Sequence, residues 1–239
     1  MLFRSMNTDN MSILGLTIDY GPFGFMDAYE PMLICNHTDH GGRYAFARQP
    51  SVGLWNCQAL AAALAGLVKS ADLEAGLKAF EPAYQNAALP LMRAKFGLTG
   101  KAHDKLIPEA FQMMARAHAD FTQSFRRLSN LDQDDAAFIM ADFGVEGGAF
   151  EDWMKRWQAT EPDYAAMRTV NPNFVLRNWV AETAIRAVED DGDLGMIDRI
   201  FKCVTNPYED RAVSANPDDV RFAVPPPESL RGLEVSCSS

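Results

Sequence analysis

The 239-residue chain has only four cysteines, Cys35, Cys57, Cys203 and Cys237, and they are so scattered that no C-x-x-C pair occurs. A structural zinc site is therefore not expected, because such sites take closely spaced thiolates. Long apolar runs are also missing. The longest nearly unbroken one, Ala59 to Val68, falls well short of the roughly 20 residues a membrane-spanning helix requires. The first ten residues, Met-Leu-Phe-Arg-Ser-Met-Asn-Thr-Asp-Asn, show no basic region followed by an apolar stretch, so no secretory leader is expected and the expected location is cytoplasmic. Blocks of Lys and Arg are absent: 22 basic residues face 32 acidic ones, for a net charge of −10. That balance argues against a general nucleic-acid binder, whose phosphate affinity comes from clustered cations. Gly21-Pro22-Phe23-Gly24 matches no phosphate-binding glycine motif, and no lysine-containing phosphate loop exists.

The chain does have core formers. Hydrophobic residues make up 48% and aromatics 10%, enough to fold and bury a substantial core. From Met11 to about Cys35, Ile, Leu, Phe, Tyr and Gly predict two short strands with a turn near Gly15. A loop over residues 36–43 follows, and helical periodicity then takes over. Four apolar stripes are expected. The first is Leu60, Leu64, Leu67 and Val68, after a helix start at Gln49-Pro50-Ser51. The second is Phe111, Met114, His118, Phe121, Phe125 and Leu128. The third is Leu176, Trp179, Val180, Ala184, Ala187 and Val188. The fourth is Leu194, Ile197, Phe201 and Val204, stopped by Asn206-Pro207. Further helices are expected around 73–97, 134–141, 148–159 and 162–168. Residues 215–239, with Pro225-Pro226-Pro227, read as an extended tail, and Cys57 and Cys203 as core thiols.

The densest polar cluster is Asn7-Thr8-Asp9-Asn10, followed nine residues later by Asp19-Tyr20-Gly21. Folding back of a short hairpin can bring these carboxylates and the amide together. Such a set suits a proton acceptor beside a magnesium ion, which favours hard oxygen ligands and shares them with substrate phosphates. The plainer reading is an Asx-rich turn. His37, Asp39 and His40 contain a potential metal set, but their spacing in a Gly-flanked loop is not that of a helical zinc motif, so a hydrogen-bonded loop is expected. The acidic runs at 132–135 and 190–193 lack the glutamate of a calcium loop and are expected to be caps and turns. His103 is expected in a surface loop.

Longer motifs are present. Met6-Asn7-Thr8-Asp9-Asn10-Met11-Ser12, running on through Asp19-Tyr20-Gly21-Pro22-Phe23-Gly24-Phe25-Met26-Asp27, resembles the SelO (selenoprotein O) family. So do Cys35-Asn36-His37-Thr38-Asp39-His40-Gly41-Gly42-Arg43-Tyr44 and Gln49-Pro50-Ser51-Val52-Gly53-Leu54-Trp55-Asn56. Later matches are Met92-Arg93-Ala94-Lys95, Phe125-Arg126-Arg127-Leu128, Asn171-Pro172, Leu176-Arg177-Asn178 and the terminal Ser236-Cys237-Ser238-Ser239.

The resemblance implies a mainly α, protein-kinase-like C-lobe, with a short β-hairpin carrying the catalytic loop and then a helical bundle. The lobe is expected over 1–214, with its catalytic and metal loops at 7–21, and the tail over 215–239. It further implies transfer of AMP from ATP to Ser, Thr or Tyr hydroxyls of proteins, with Mg²⁺ or Mn²⁺ as cofactor and neither nucleic acid nor membrane as partner. By the same resemblance Asp9 is the proton acceptor, Asn10 and Asp19 are metal ligands, and Asp19 meets ATP through the metal. A protein kinase spaces its catalytic Asp and metal-binding Asn about five positions apart, whereas Asp9 and Asn10 are adjacent, and Asp19-Tyr20-Gly21 stands where Asp-Phe-Gly would be. Cys35 and Cys237 resemble a redox-sensitive pair.

The family's triphosphate-clamping Lys and Arg residues belong to an N-terminal lobe expected ahead of Asn7, which only six residues precede. The expectation is thus a C-terminal half with impaired activity. The alternatives are a non-catalytic helical binding module and a kinase-type phosphotransferase.

Overall fold

The computed structural model describes residues 2–4, 6–16, 23–35, 38–133, 148–210 and 216–233. The chain is mainly helical, as expected, with eight α-helices among the described residues. It divides into two compact units. Among the described residues, the smaller comprises Leu2–Gly24 and Pro31–Leu91, and the larger Phe25–Glu30 and Met92–Leu233. No helix among the described residues is long and apolar enough to cross a membrane.

In the smaller unit β1 (Leu2–Arg4) pairs with β2 (Phe23–Phe25) in a two-stranded sheet. The turn expected near Gly15 is present, but residues 12–16 carry no strand beside it. Gly15 takes φ 74, its amide donates to the Ser12 carbonyl at 3.0 Å, and the Leu14 amide donates to Ser12 Oγ at 3.1 Å. This local side-chain bond competes with ladder pairing, so the turn extends where β-propensity suggested strand. Helix α1 (Gln49–Leu64) begins where Gln49-Pro50-Ser51 predicts, since proline suits a first turn. Its expected stripe does not face a core. Leu60 and Leu67 are exposed, and the buried positions are Val52, Gly53 and Asn56. The second half of α1 is apolar all round (Leu60-Ala61-Ala62-Ala63-Leu64), so periodicity there carries no information about the buried face. Cys57 is half-buried rather than a core thiol. Helix α2 (Ser70–Lys95) covers most of the helix expected at 73–97, ending two residues sooner, and contains Pro82 and Pro90.

The larger unit holds most of the described core. Helices α3 (Leu106–Ala117) and α4 (Phe121–Ser129) arise from what reads as one stripe. The break falls at His118, which adopts φ 48 and is exposed, after which Asp120 caps α4 by accepting from the Gln123 amide at 2.8 Å. Phe96, Phe121 and Phe125 interlock, with centroids 5.0 Å apart for Phe96–Phe125 and 5.3 Å for Phe121–Phe125. Helix α5 (Ala149–Gln158) adds Trp153 and Trp157, which stack at 5.7 Å, and their indole N–H groups donate to Leu106 O at 2.9 Å and Phe96 O at 2.8 Å. Burial of these large rings is thus compatible with satisfied polar edges. Helix α6 (Tyr164–Val170) follows, and the helix expected over 134–141 lies outside the described residues.

Helix α7 (Asn178–Asp191) buries Trp179, Val180 and Ala187, as its stripe predicts. Helix α8 (Gly195–Thr205) ends at Asn206-Pro207 as expected, but it buries the other face. Ile200 and Cys203 are in the core, while Leu194, Ile197 and Phe201 are exposed. Both faces are apolar, and Phe222 with Ala223 settles which is covered: they pack with Phe174, Trp179 and Val180 over Ile200 and Cys203. Residues 216–233, expected as an extended tail, instead carry two 3₁₀ turns, Pro217–Ala223 and Glu228–Leu230.

A polar network joins these elements. Arg177 is fully buried; its Nη1 lies 2.8 Å from Asp27 Oδ1 and its Nη2 2.9 Å from Asp120 Oδ2, with a further bond to Ala223 O. Burial pushes the Asp27 carboxyl up against the pull of Arg177. Arg126 donates to the carbonyls of Arg168, Asn171 and Tyr208 and pairs with Asp210. Gln123 Nε2 donates to Asn173 O, Asn173 Oδ1 and Ala223 O. Asn171 accepts from Lys95 Nζ at 2.7 Å and donates to Lys95 O and Ser129 Oγ.

Two predictions follow from this network. Arg177→Met should lower the stability of the larger unit by about 3–5 kcal/mol in urea unfolding, because it strands two carboxylates; Asp120→Ala should cost more than Asp27→Ala, since Asp120 also caps α4. Burial lowers the Lys95 ammonium from 10.5 to about 8, so between those values the unfolded chain holds a proton that the folded one has lost. Stability should then rise with pH through that window in the wild type relative to Lys95→Met, and parallel pH profiles for the two would contradict the assignment.

Candidate functional site

The Asn7–Asn10 cluster is built as a single turn. Asn7 opens a 3₁₀ helix over Thr8–Asn10, closed by the Asn10 amide donating to Asn7 O at 3.0 Å and the Met11 amide to Thr8 O at 3.5 Å. Short Asx side chains favour such turns over regular helix or ladder. Asp9 is exposed and Asn10 half-buried. A 3₁₀ turn carries three residues per turn, so adjacent side chains diverge by about 120°. Neighbours in sequence can therefore do different work.

Helix α1 backs this turn. Asn56, buried at 7% exposure, donates from Nδ2 to the Met6 carbonyl at 2.9 Å and meets Met11 Sδ, so one side chain ties down both ends of the segment. Three residues earlier, Gly53 makes room. A Cβ there would come within 3.3 Å of the Phe80 ring and 3.8 Å of Met6 Cε. Gly53 and Asn56 were legible in the sequence only as parts of a motif, and nothing there assigned them a role. The signal that could have found them is their i, i+3 spacing on the first face of a proline-started helix.

The loop before α1 is organised around Asp39. Its two carboxylate oxygens accept from the amides of Arg43 at 2.9 Å and Tyr44 at 2.8 Å, which is the hydrogen-bonded loop expected rather than a free metal ligand. His40 is exposed, and His37 lies outside the described residues. Arg48 Nη1 donates to the carbonyls of Gly41 and Gly42, and the Arg43 guanidinium sits 4.1 Å over the Trp55 ring. Of the acidic runs, Asp134 and Asp135 lie outside the described residues, and the others sit in a turn and at the end of α7. Asp132 pairs with Arg168, Gly192 ends α7 with φ 67, Asp193 Oδ1 accepts from the Gly195 amide, and His103 is exposed.

Among the described residues no group of three His, Cys, Asp or Glu side chains could hold a metal ion. Asn10 supplies a hard amide oxygen on an accessible turn, a donor chemistry that fits Mg²⁺, which takes few ligands from protein and the rest from water and phosphate. Asp19 and Cys237 lie outside the described residues, and Cys35 is half-buried.

A family model described as protein adenylyltransferase SelO matches residues 3–205. Proteins named protein nucleotidyltransferase YdiU are similar to the chain over 98% of its length. Those of Pectobacterium carotovorum and Cronobacter sakazakii are each 43% identical, and that of Myxococcus xanthus 42%. In each case the match covers 49% of the relative, so the chain spans about half the length of the curated relatives it matches.

The geometry makes a prediction that does not depend on chemistry. Asn56→Ala removes the bond to Met6 and should loosen the turn by about 1 kcal/mol, seen as roughly fivefold faster hydrogen exchange at the Asn10 and Met11 amides. Unchanged exchange there would show that Asn56 does not hold the segment.

Proposed function

The chain belongs to the SelO family of protein adenylyltransferases, and from that membership we propose that it carries the catalytic turn of a nucleotidyl transfer in which AMP passes from ATP to a Ser, Thr or Tyr hydroxyl of a protein. The observation that carries this reading is the exposed 3₁₀ turn with Asp9 and Asn10 adjacent, held at both ends by Asn56. The acceptor hydroxyl oxygen bonds to the α-phosphorus, the bond from that phosphorus to the bridging oxygen breaks, and pyrophosphate leaves. Asp9 takes the hydroxyl proton. Its exposure suits a base that must meet a macromolecular substrate.

Asn10 and Asp19 would hold the magnesium ion, with manganese as a substitute; when bound, the ion neutralises charge on the phosphate oxygens. The divergence of adjacent side chains in the turn separates the proton acceptor from the metal ligand, which a kinase achieves with intervening sequence. In this reading residues 1–214 are a kinase-like C-lobe and residues 215–239 its tail. The residues that clamp the triphosphate are those the family carries on its N-terminal lobe, and transfer uses them together with the Asp9 turn. Positioning and charge neutralisation then do most of the catalytic work. Cys35 and Cys237 form a reversible disulfide, closed by exchange with an oxidised thiol compound, that pins the tail.

With an N-terminal half of a relative added, label from α-labelled ATP should pass to an acceptor protein in a divalent-ion-dependent manner, and label from γ-labelled ATP should not. Asp9→Ala and Asp19→Ala should each reduce that transfer at least a hundredfold. Transfer from γ-labelled ATP would instead establish a phosphotransferase, and no transfer or Mg-ATP binding with the added half would favour a non-catalytic binding module. Limited proteolysis of the tail should slow without reductant and quicken with it; equal rates would remove the disulfide from the account.

A further inference from the structure

A cavity of about 220 Å³ opens within the larger unit. Phe25, Phe121, Val170 and Val175 give it apolar walls, and two polar side chains, Lys95 and Thr122, interrupt them. Each of the two has unused hydrogen-bonding capacity. The Lys95 ammonium donates to Asn171 Oδ1 at 2.7 Å and rests 4.2 Å from the centre of the Phe125 ring, leaving donors to spare, and no carboxylate among the described residues pairs with it. Thr122 is 4% exposed, and its hydroxyl has no hydrogen-bond partner among the described residues. A buried cation without a counter-ion and a buried hydroxyl without a partner are both unfavourable, and native proteins seldom keep either without a use.

Their placement on one small apolar cavity is the usual composition of a small-molecule site: mostly apolar lining with a few converging polar groups. We propose that this cavity binds a small monocarboxylate with an aromatic or short alkyl body, its carboxylate on Lys95 Nζ and Thr122 Oγ1 and its body against Phe25, Phe121 and Val175. A phosphate is the poorer fit, because its greater charge and three oxygens would ask for more donors than one ammonium and one hydroxyl provide. Burial already weakens the hold of Lys95 on its proton, and a bound carboxylate reverses that by giving the ammonium a partner. The site stands independently of nucleotidyl transfer, since none of its residues belongs to the Asp9 turn.

The test is titration of benzoate into the full chain by calorimetry, with benzyl alcohol as the uncharged probe of the same body. Benzoate should bind saturably at one site in the millimolar range or tighter, and benzyl alcohol at least tenfold more weakly. Lys95→Met should weaken benzoate at least tenfold. Val170→Trp, which fills the cavity from its partly exposed rim without altering Lys95, should abolish binding. Val170→Trp decides the matter if Lys95→Met fails to fold. Absence of saturable benzoate binding, equal affinity for benzyl alcohol, or undiminished binding in Val170→Trp would each overturn the proposal.

Discussion

The larger unit is arranged around the need to neutralise Arg177. A guanidinium with no exposed surface is tolerated only when carboxylates and carbonyls converge on it. Here they come from three distant stretches of chain: Asp27 from the strand exit, Asp120 from the cap of α4, and Ala223 from the C-terminal 3₁₀ turn. The same pairing fixes backbone neighbours, with the Tyr29 amide donating to Ala119 O at 2.7 Å and the Phe121 amide to Asp27 O at 2.9 Å. The aromatic cluster of Phe96, Phe121 and Phe125 lies in the same unit. Buried ion pairs often add little net stability, but breaking one is expensive, so the arrangement enforces a single packing more than it strengthens it.

Much the same logic explains the motifs that identify the chain. Arg126, Asn171, Asn173 and Gln123 are polar residues in a core, and each satisfies carbonyls or side chains far away in sequence. Lys95 is the exception, with one amide partner and no counter-ion among the described residues. In the smaller unit Asn56 plays the corresponding part for the Asp9 turn. Many of the motif residues therefore hold backbone in place.

How much of this could be read from sequence depended on whether one face of a helix is polar. The α7 stripe was legible because Glu182, Arg186 and Glu189 mark its outer face, and Trp179, Val180 and Ala187 are buried as expected. In α8 and the second half of α1, apolar residues lie on more than one face, and only tertiary packing decides which is covered. The Phe222 contact with Trp179 was hidden by a proline-rich stretch that suggested an open tail. The break at His118 was missed because α3 and α4 continue one apolar pattern across a residue in left-handed conformation. At the site, Asp9 and Asn10 could be named from their residue types and the family resemblance. Asn56 could not be given a role, because a long-range bond to a backbone carbonyl leaves no local pattern.

Attack on the α-phosphorus of ATP at the Asp9 turn, as proposed, is reported directly by the leaving group. Phosphorus NMR of a reaction containing the chain, an N-terminal half of a relative, an acceptor protein, Mg²⁺ and ATP should show pyrophosphate accumulating in step with adenylylated acceptor. Accumulation of ADP with a phosphorylated acceptor would contradict the claim.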